Sequence, residues 1–422
     1  MILRATANNR LKSVVGGSIG NLIEWFDWYV YAAFSLYFSR HFFPYGNRTI
    51  QLLNVAAVFA VGFVMRPIGA WLMGIYADHR GRKAALTWSV ALMSLGSLII
   101  ALSPGYEQIG IAAPLFLVIA RMMQGISVGG EYGTSATYLS EIVGKKHRGF
   151  FSSFQCVTLV FGQQLAIVLL IVLQTFMKQS TLESWGWRIP FAIGAILAIL
   201  VFWLRRNISE TKSFERQEKD KSSILTLITH YPKETALAMF LTSGGTLAFY
   251  TYSIYMQKFL VNTSGFSREG ASQINAITLF LFMCLQPIAG ALSDKIGRKP
   301  LMVAFGTAGV LFTYSIFSKL AQTHNSFTAG LLVMAALIIV TGYTSVNALV
   351  KAELFPSHTR ALGVAFPHAL ATTFFGGTAE YVALSFKKAG WESGFYWYVT
   401  FMIAISLIVY LCMRETRQTS QI

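Results

Sequence analysis

Residues 74–83 read GIYADHRGRK, and residues 290–299 read GALSDKIGRK. Superposing them pairs Gly74 with Gly290, Asp78 with Asp294, Gly81 with Gly297, Arg82 with Arg298 and Lys83 with Lys299, an offset of 216 positions in a chain of 422. Each decapeptide closes an apolar segment of membrane-spanning length and opens another. A basic turn repeated half a chain apart between such segments points to a transporter built from two repeats. A second echo supports the repeat: Glu141 and Arg148 close the fourth apolar segment, and Glu353 and Arg360, at the same separation, close the tenth.

Composition agrees. Hydrophobic residues make up 54% of the chain and charged residues 12%, with mean hydropathy +0.53. A soluble chain carries about 25% charged residues. The net charge of +16 lies mostly in short loops between apolar segments, where it sets orientation. No basic face interleaves with aromatic residues as a nucleic-acid binder requires. Cys156, Cys284 and Cys412 lie singly in apolar stretches, so neither a disulfide nor a metal site is expected. No phosphate-cradling G-x-x-x-x-G-K-[ST] string occurs, so neither ATP nor any other cofactor is expected. A clustered nucleophile or metal set is also absent, which argues against an enzyme. The N-terminal apolar run contains Glu24 and Asp27 and lacks a small-residue cleavage site, so it reads as a retained first span and not a signal peptide.

A spanning helix needs about 20 apolar residues, and twelve segments qualify. They are 13–38, 52–77, 84–103, 111–140, 150–177 and 186–206, then 234–262, 270–293, 300–320, 326–354, 361–387 and 392–413. The expected fold is an all-α membrane protein of twelve transmembrane helices in two pseudo-symmetric six-helix halves, 1–206 and 234–422. The polar stretch 207–233 joins them as a cytoplasmic interfacial helix or flexible linker. Lys and Arg concentrate at the N-terminus, in the 78–83, 145–148 and 294–299 loops, in the central stretch and at the C-terminus, which places both termini in the cytoplasm.

Ionisable residues inside spans cost about 2.5–3.5 kcal/mol each on insertion scales and so mark function by default. Glu24 and Asp27 share a helix face, and Asp27 lies roughly 22 Å along the helix from Lys12. Two crowded carboxylates raise one pKa, which suits proton coupling; a static ion pair is the other reading. Arg66 lies roughly 18 Å before Asp78 and must meet a carboxylate, from a substrate or from the first span. Pro67 and Gly69 after it suit a cavity wall. Arg121, Gly125, Gly129 and Gly133 recur every four residues, a bare stripe against which another helix packs. Glu131 lies off that stripe and is either structural or coupling. Gln155, Gln163, Gln164, Tyr250, Tyr255, Tyr343 and Asn347 line a pocket or join helices. Glu380, beside Tyr381, needs a partner. His368 follows Pro367 and either tunes the pH response or packs as a neutral ring. Arg188 reads as an outer anchor or gate. In the repeated loops, Gly74, Asp78, Gly81 and Arg82 match Gly290, Asp294, Gly297 and Arg298. Each Asp is placed to pair with an Arg or a helix N-terminus across the seam, latching the halves; plain topology anchoring by basic loops is the other reading.

GIYADHRGRK resembles the hallmark loop of the major facilitator superfamily, and RMMQGISVGGEYG resembles its second motif. GNLIEWFDWYVY, GFVMRPIGAWLMG and GGEYGTSATYLSE are similar to its metabolite:proton symporter branch. SLYF, FFPYGN, WGWRIPF, YMQKFLVNTSG, GALSDKIGRK and FFGGTAEYVALS extend the resemblance over nearly the whole chain, toward the branch's dicarboxylate carriers. The resemblance implies alternating access in a bacterial inner membrane, a proton and a small anionic metabolite as partners, and a monomer in the bilayer. It implies 2-oxoglutarate as substrate ahead of citrate, shikimate, proline or betaine; a membrane nutrient sensor is a remote alternative. It assigns Arg121 to proton coupling through the first-span acid. For substrate binding the expected set is Arg66, Arg121, Gln155, Gln163, Tyr250, Tyr343, Glu380 and Tyr381. For coupling it is Glu24, Asp27, Arg121 and Glu131.

Overall fold

The computed structural model describes residues 2–80, 82–129, 132, 145–206, 224–356 and 359–420. Among the described residues there are no strands, and long helices fall at all twelve expected spans. In the first half these are α1 (Ile2–Phe42), α2 (Arg48–Arg80), α3 (Arg82–Leu102), α4 (Ala112–Gly129), α5 (Arg148–Phe176, stepping at Ser153) and α6 (Ile189–Arg206). In the second half α7 runs through Pro232–Phe249, Tyr250–Tyr255 and Met256–Asn262, α8 is Arg268–Ile296 and α9 is Lys299–Ala321. Then α10 is Ser326–Thr344 continued by Asn347–Leu354, α11 runs through Arg360–Ala371, Thr372–Gly376 and Ala379–Lys388, and α12 is Glu392–Cys412. Of the expected linker, 207–223 lies outside the described residues, while Ile224–His230 is a short helix. Among the described residues, seven helices are individually long and apolar enough to cross a membrane.

Local chemistry sets the helix ends. At the start of α8, Ser267 Oγ accepts from the Gly270 amide at 3.0 Å, and at the start of α10 Asn325 Oδ1 accepts from the Phe327 and Thr328 amides at 2.9 and 3.1 Å. Such caps satisfy donors that the first turn leaves unpaired. Gly297 ends α8 at φ +100°, a conformation that glycine adopts without a Cβ penalty.

Packing repeats with the sequence. In the first half α2 packs on α4, α3 on α6 and on α4, and α1 on α5. The counterparts recur in the second: α8 on α10, α9 on α12 and on α10, and α7 on α11. The halves meet where α5 packs on α8 and α2 on α11, one contact being the image of the other under the repeat. The glycine stripe of α4 is where α2 crosses: a Cβ on Gly125 would lie 2.0 Å from Gly62 O, and one on Gly129 2.1 Å from Arg66 O. This close approach brings α2 and its Arg66 against α4 and its Arg121.

The spans differ from uniform α-helices at the seam. Tyr250–Tyr255 and Thr372–Gly376 are π-helical, a form that widens the turn and often marks functional sites. Hydrophobic periodicity carries no signal for such a local insertion.

Candidate substrate and proton site

Asp27 is fully buried where α1 meets α3, α4 and α6. Ser97 Oγ donates to its Oδ2, and Gln124 Nε2 donates to the same oxygen at 2.9 Å. Gln124 also donates to Ser97 Oγ at 2.8 Å and accepts from Arg121 Nη1 at 2.7 Å through its Oε1. The other carboxylate oxygen, Oδ1, has no hydrogen-bond partner. It lies against Gly194 of α6, where a Cβ would come within 2.0 Å of it. Glu24, one turn earlier, accepts from Ser127 Oγ at 3.0 Å. The two acids face α4 with separate hydroxyl donors. Arg121 reaches Asp27 through Gln124, with no direct ion pair between them.

Both arginines sit in aromatic cages. The Arg66 guanidinium lies 4.0 Å from the Phe63 ring centroid and 4.2 Å from that of Trp28. Arg121 lies 3.9 Å from the Trp28 centroid and 4.5 Å from that of Tyr31, so one indole serves two cations. Cation–π contact offsets part of the cost of burial. In each arginine Nε and Nη2 are nonetheless buried without a hydrogen-bond partner. Buried N–H groups of a permanent cation are rarely left unpaired, and a carboxylate is the group whose geometry they match.

A small cavity of about 50 Å³ lies between the halves, with space for a few waters. Trp25, Tyr132, Gln155 and Cys156 line it from the first half, and Tyr250, Tyr343, Asn347 and His368 from the second. Tyr250, on the π segment of α7, packs edge-on to Phe63 at 5.2 Å beside Arg66.

Contacts cross the seam at both ends. At the end carrying the second basic turn, Asp294 accepts from the Gly149 and Phe150 amides at 2.8 and 3.0 Å, at the N-terminus of α5. Arg298 Nη2 lies 3.3 Å from Asp294 and 3.6 Å from Glu353. Glu415 caps the start of α9 through the Arg298 and Lys299 amides at 3.0 Å each. At the opposite end Arg268 of α8 meets Glu183, between α5 and α6, at 2.5 Å, and Gln174 donates to Tyr37 OH at 2.7 Å and to Ser272 at 3.3 Å.

The structure thus gathers Gln155, Tyr250 and Tyr343 around one cavity; Arg66 does not line it but stands behind Trp25, 5.3 Å from that ring centroid, and Asp27 and Arg121 lie in the first half. Gln163 bonds across the seam to Ser253 O at 3.2 Å without lining the cavity. Glu380 is held by Lys258 at 2.5 Å, both buried. Tyr381 points away and is 40% exposed on the outer face, because it follows Glu380 and successive residues face different sides of a helix. Glu131 and Gly81 lie outside the described residues, as do the side chains of Asp78 and Arg82; the backbone there shows α2 running through Gly74 and Asp78 to Arg80 and α3 starting at Arg82. Sequence reasoning passed over Lys258, Lys351, Ser97 and Gln124. The two lysines were detectable, since both are charges inside apolar spans. The Ser and Gln were not, because neutral residues of that kind occur in many spans as helix–helix glue.

A helical bundle of two like halves, with buried acid and guanidinium groups beside a central cavity, defines a membrane carrier. The family model of sugar (and other) transporters matches residues 14–226 and again residues 205–421, and the chain belongs to that family, within the major facilitator superfamily. It is 50% identical over 406 residues to the alpha-ketoglutarate permease of Escherichia coli (strain K12), covering 96% of this chain and 94% of that one. It is 32% identical over 379 residues to a citrate-proton symporter of Salmonella typhi, covering 87% and 86%. A crystal structure of a D-xylose-proton symporter superposes with TM-score 0.78 at 20% identity, covering 96% of this chain and 98% of that one. These relatives are transporters and not enzymes.

Proposed function

We propose that the protein takes up 2-oxoglutarate, a five-carbon dicarboxylate, together with protons across the bacterial inner membrane by alternating access. The observation that carries the reading is the pair of buried guanidinium groups with unpaired N–H bonds beside the seam cavity. The choice among organic acids follows from the 50% identity to the permease. In this reading Arg66 binds a substrate carboxylate, and Gln155, Tyr250 and Tyr343 shape the cavity. Asp27 carries the proton, with Glu24 beside it, and Arg121 senses its charge through Gln124. The end bearing Asp294 is cytoplasmic, as are both termini. There Asp294, Gly297 and Arg298, with their repeat mates Gly74, Asp78, Gly81 and Arg82, form the inner gate. Residues 1–206 and 234–422 act as the two rocking bodies of a monomer, joined by 207–233.

The test is uptake of labelled 2-oxoglutarate into proteoliposomes holding the purified protein. An inward proton gradient should stimulate uptake, and collapsing the gradient or making Arg66→Ala should suppress it. No uptake by inserted, folded protein would remove 2-oxoglutarate, and citrate, the substrate named for a relative at 32% identity, would come next.

A further inference from the structure

The second half of the chain contributes its own cationic cluster to the seam. Lys351 of α10 is completely buried. Its Nζ lies 2.9 Å from His368 Nδ1 and 3.1 Å from Tyr132 OH, and among the described residues no carboxylate lies within ion-pair distance of it. A buried ammonium held only by neutral groups is costly unless an anion reaches its field. Its neighbours are arranged to carry that field to the cavity. With Lys351 as an ammonium, which only donates, His368 Nδ1 accepts and the ring proton resides on Nε2. Among the described residues Nε2 has no hydrogen-bond partner, and His368 lines the cavity. The imidazole is held flat by the Tyr132 ring, stacked at 3.8 Å and 14°, and Tyr132 OH in turn donates to Asn347 Oδ1 at 3.3 Å. Tyr250 and Trp25, which border Arg66, line the same cavity. His368 therefore lines the cavity from the second half, and on the first-half side Arg66 stands behind Trp25, which lines it.

We propose that His368 binds the second carboxylate of the substrate through Nε2–H, and that Lys351 is the positioning residue that sets its tautomer and supplies the positive field. This rests on the carrier reading above and deepens it. A substrate with a carboxylate at each end would bridge the halves, Arg66 holding one end and His368 the other. Closure around such a molecule then requires a diacid, and a monoacid leaves one positive group unanswered.

The experiment uses the full chain in proteoliposomes, with initial rates of labelled 2-oxoglutarate uptake and competition by glutarate and by 2-oxobutyrate. In the unaltered protein only the diacid should compete. His368→Phe and Lys351→Met should each raise KM about tenfold or more, the loss of one charge-assisted hydrogen bond, with Vmax within about twofold. The preference for glutarate over 2-oxobutyrate should shrink by a similar factor. His368→Gln, whose amide N–H replaces the ring donor, should restore KM to within about threefold of the unaltered value. Melting temperature in detergent reports folding separately, and two different substitutions keep the test alive if one fails to fold. Unchanged KM and diacid preference in either folded variant would overturn the proposal, as would a fall in Vmax alone. Absence of 2-oxoglutarate uptake by the unaltered protein would instead overturn the carrier reading, and the proposal with it.

Discussion

At the scale of single residues, the burial of Asp27 depends on a glycine 167 positions away in the chain. Gly194 leaves room for Oδ1, and a methyl group there would stand 2.0 Å from it. Gly194→Ala should push the carboxylate off Ser97 and Gln124 while leaving the apolar exterior intact. The expected result is protein of near-normal melting temperature whose gradient-driven uptake falls about tenfold or more, since a displaced group of this kind costs over 1 kcal/mol. Arg66→Lys tests the neighbouring cation. An ammonium keeps the charge but loses the planar fork and its ring stacking, so KM for 2-oxoglutarate should rise about tenfold while Vmax changes less. Both residues were visible in the sequence as charges inside spans. Which oxygen is satisfied, and by which hydroxyl, was not, because α1, α3, α4 and α6 converge only on folding.

At the scale of elements, the contact of α8 with α5 is made at a helix terminus. The two amides at the start of α5 have no partners within their helix, and Asp294 accepts from both of them. Gly149 permits the approach: a Cβ there would lie 2.1 Å from Ser293 Oγ and 2.4 Å from Gly290 O. Under the gate role proposed above, Asp294→Ala should weaken closure at that end by about 1.5–3 kcal/mol, the worth of hydrogen bonds to a charged group. Cys156, which lines the cavity, is a native reporter. In a Cys284→Ser, Cys412→Ser background its labelling by a thiol reagent added from the side bearing Asp294 should speed up about tenfold to a hundredfold in Asp294→Ala. Unchanged labelling would make the contact a static brace. The repeat of Asp78 and Asp294 was legible as pattern. That the partner of Asp294 would be main-chain N–H of α5 required the crossing of α5 on α8.

At the scale of the whole molecule, the two seams differ in strength. The Asp294 contact is buried, with its side chain at 7% exposure, whereas Glu183 in the pair at the opposite end is 39% exposed. Exposed ion pairs contribute about 0–1 kcal/mol, so Glu183→Gln should raise labelling of Cys156 from outside by no more than about fivefold. Outside the spans, His41 shows how the end opposite Asp294 responds to acid. Beyond residue 38, its Nε2 lies 2.9 Å from Arg188, and burial, then the Arg188 guanidinium, push its pKa down from 6.5 to about 4. The folded chain holds this imidazole neutral, while the unfolded chain takes up a proton below pH 6.5. Its contribution is therefore present at neutral pH and is lost as pH falls from 6.5 toward 4. The melting temperature should drop over that interval, and His41→Gln should flatten the drop; equal pH profiles for the two proteins would refute this.

By itself the sequence determined the class of protein, the twelve spans, the two-fold repeat and most of the intramembrane charges. These follow from local properties: segment length against membrane thickness, the cost of charge in lipid, and a motif recurring at one offset. Only the tertiary structure decided that Gln124 would stand between Arg121 and Asp27, that Lys258 would answer Glu380, that Tyr381 would face outward, and that Lys351 would lie behind His368 at the seam. Those outcomes depend on how helices rotate and cross. Rotation is set by close packing, such as α2 against the α4 glycines, and by π insertions that re-aim side chains. A turn of about 100° per residue places neighbours in the chain on different sides of a helix, so the pocket-facing set appears only once every helix is packed against its partners.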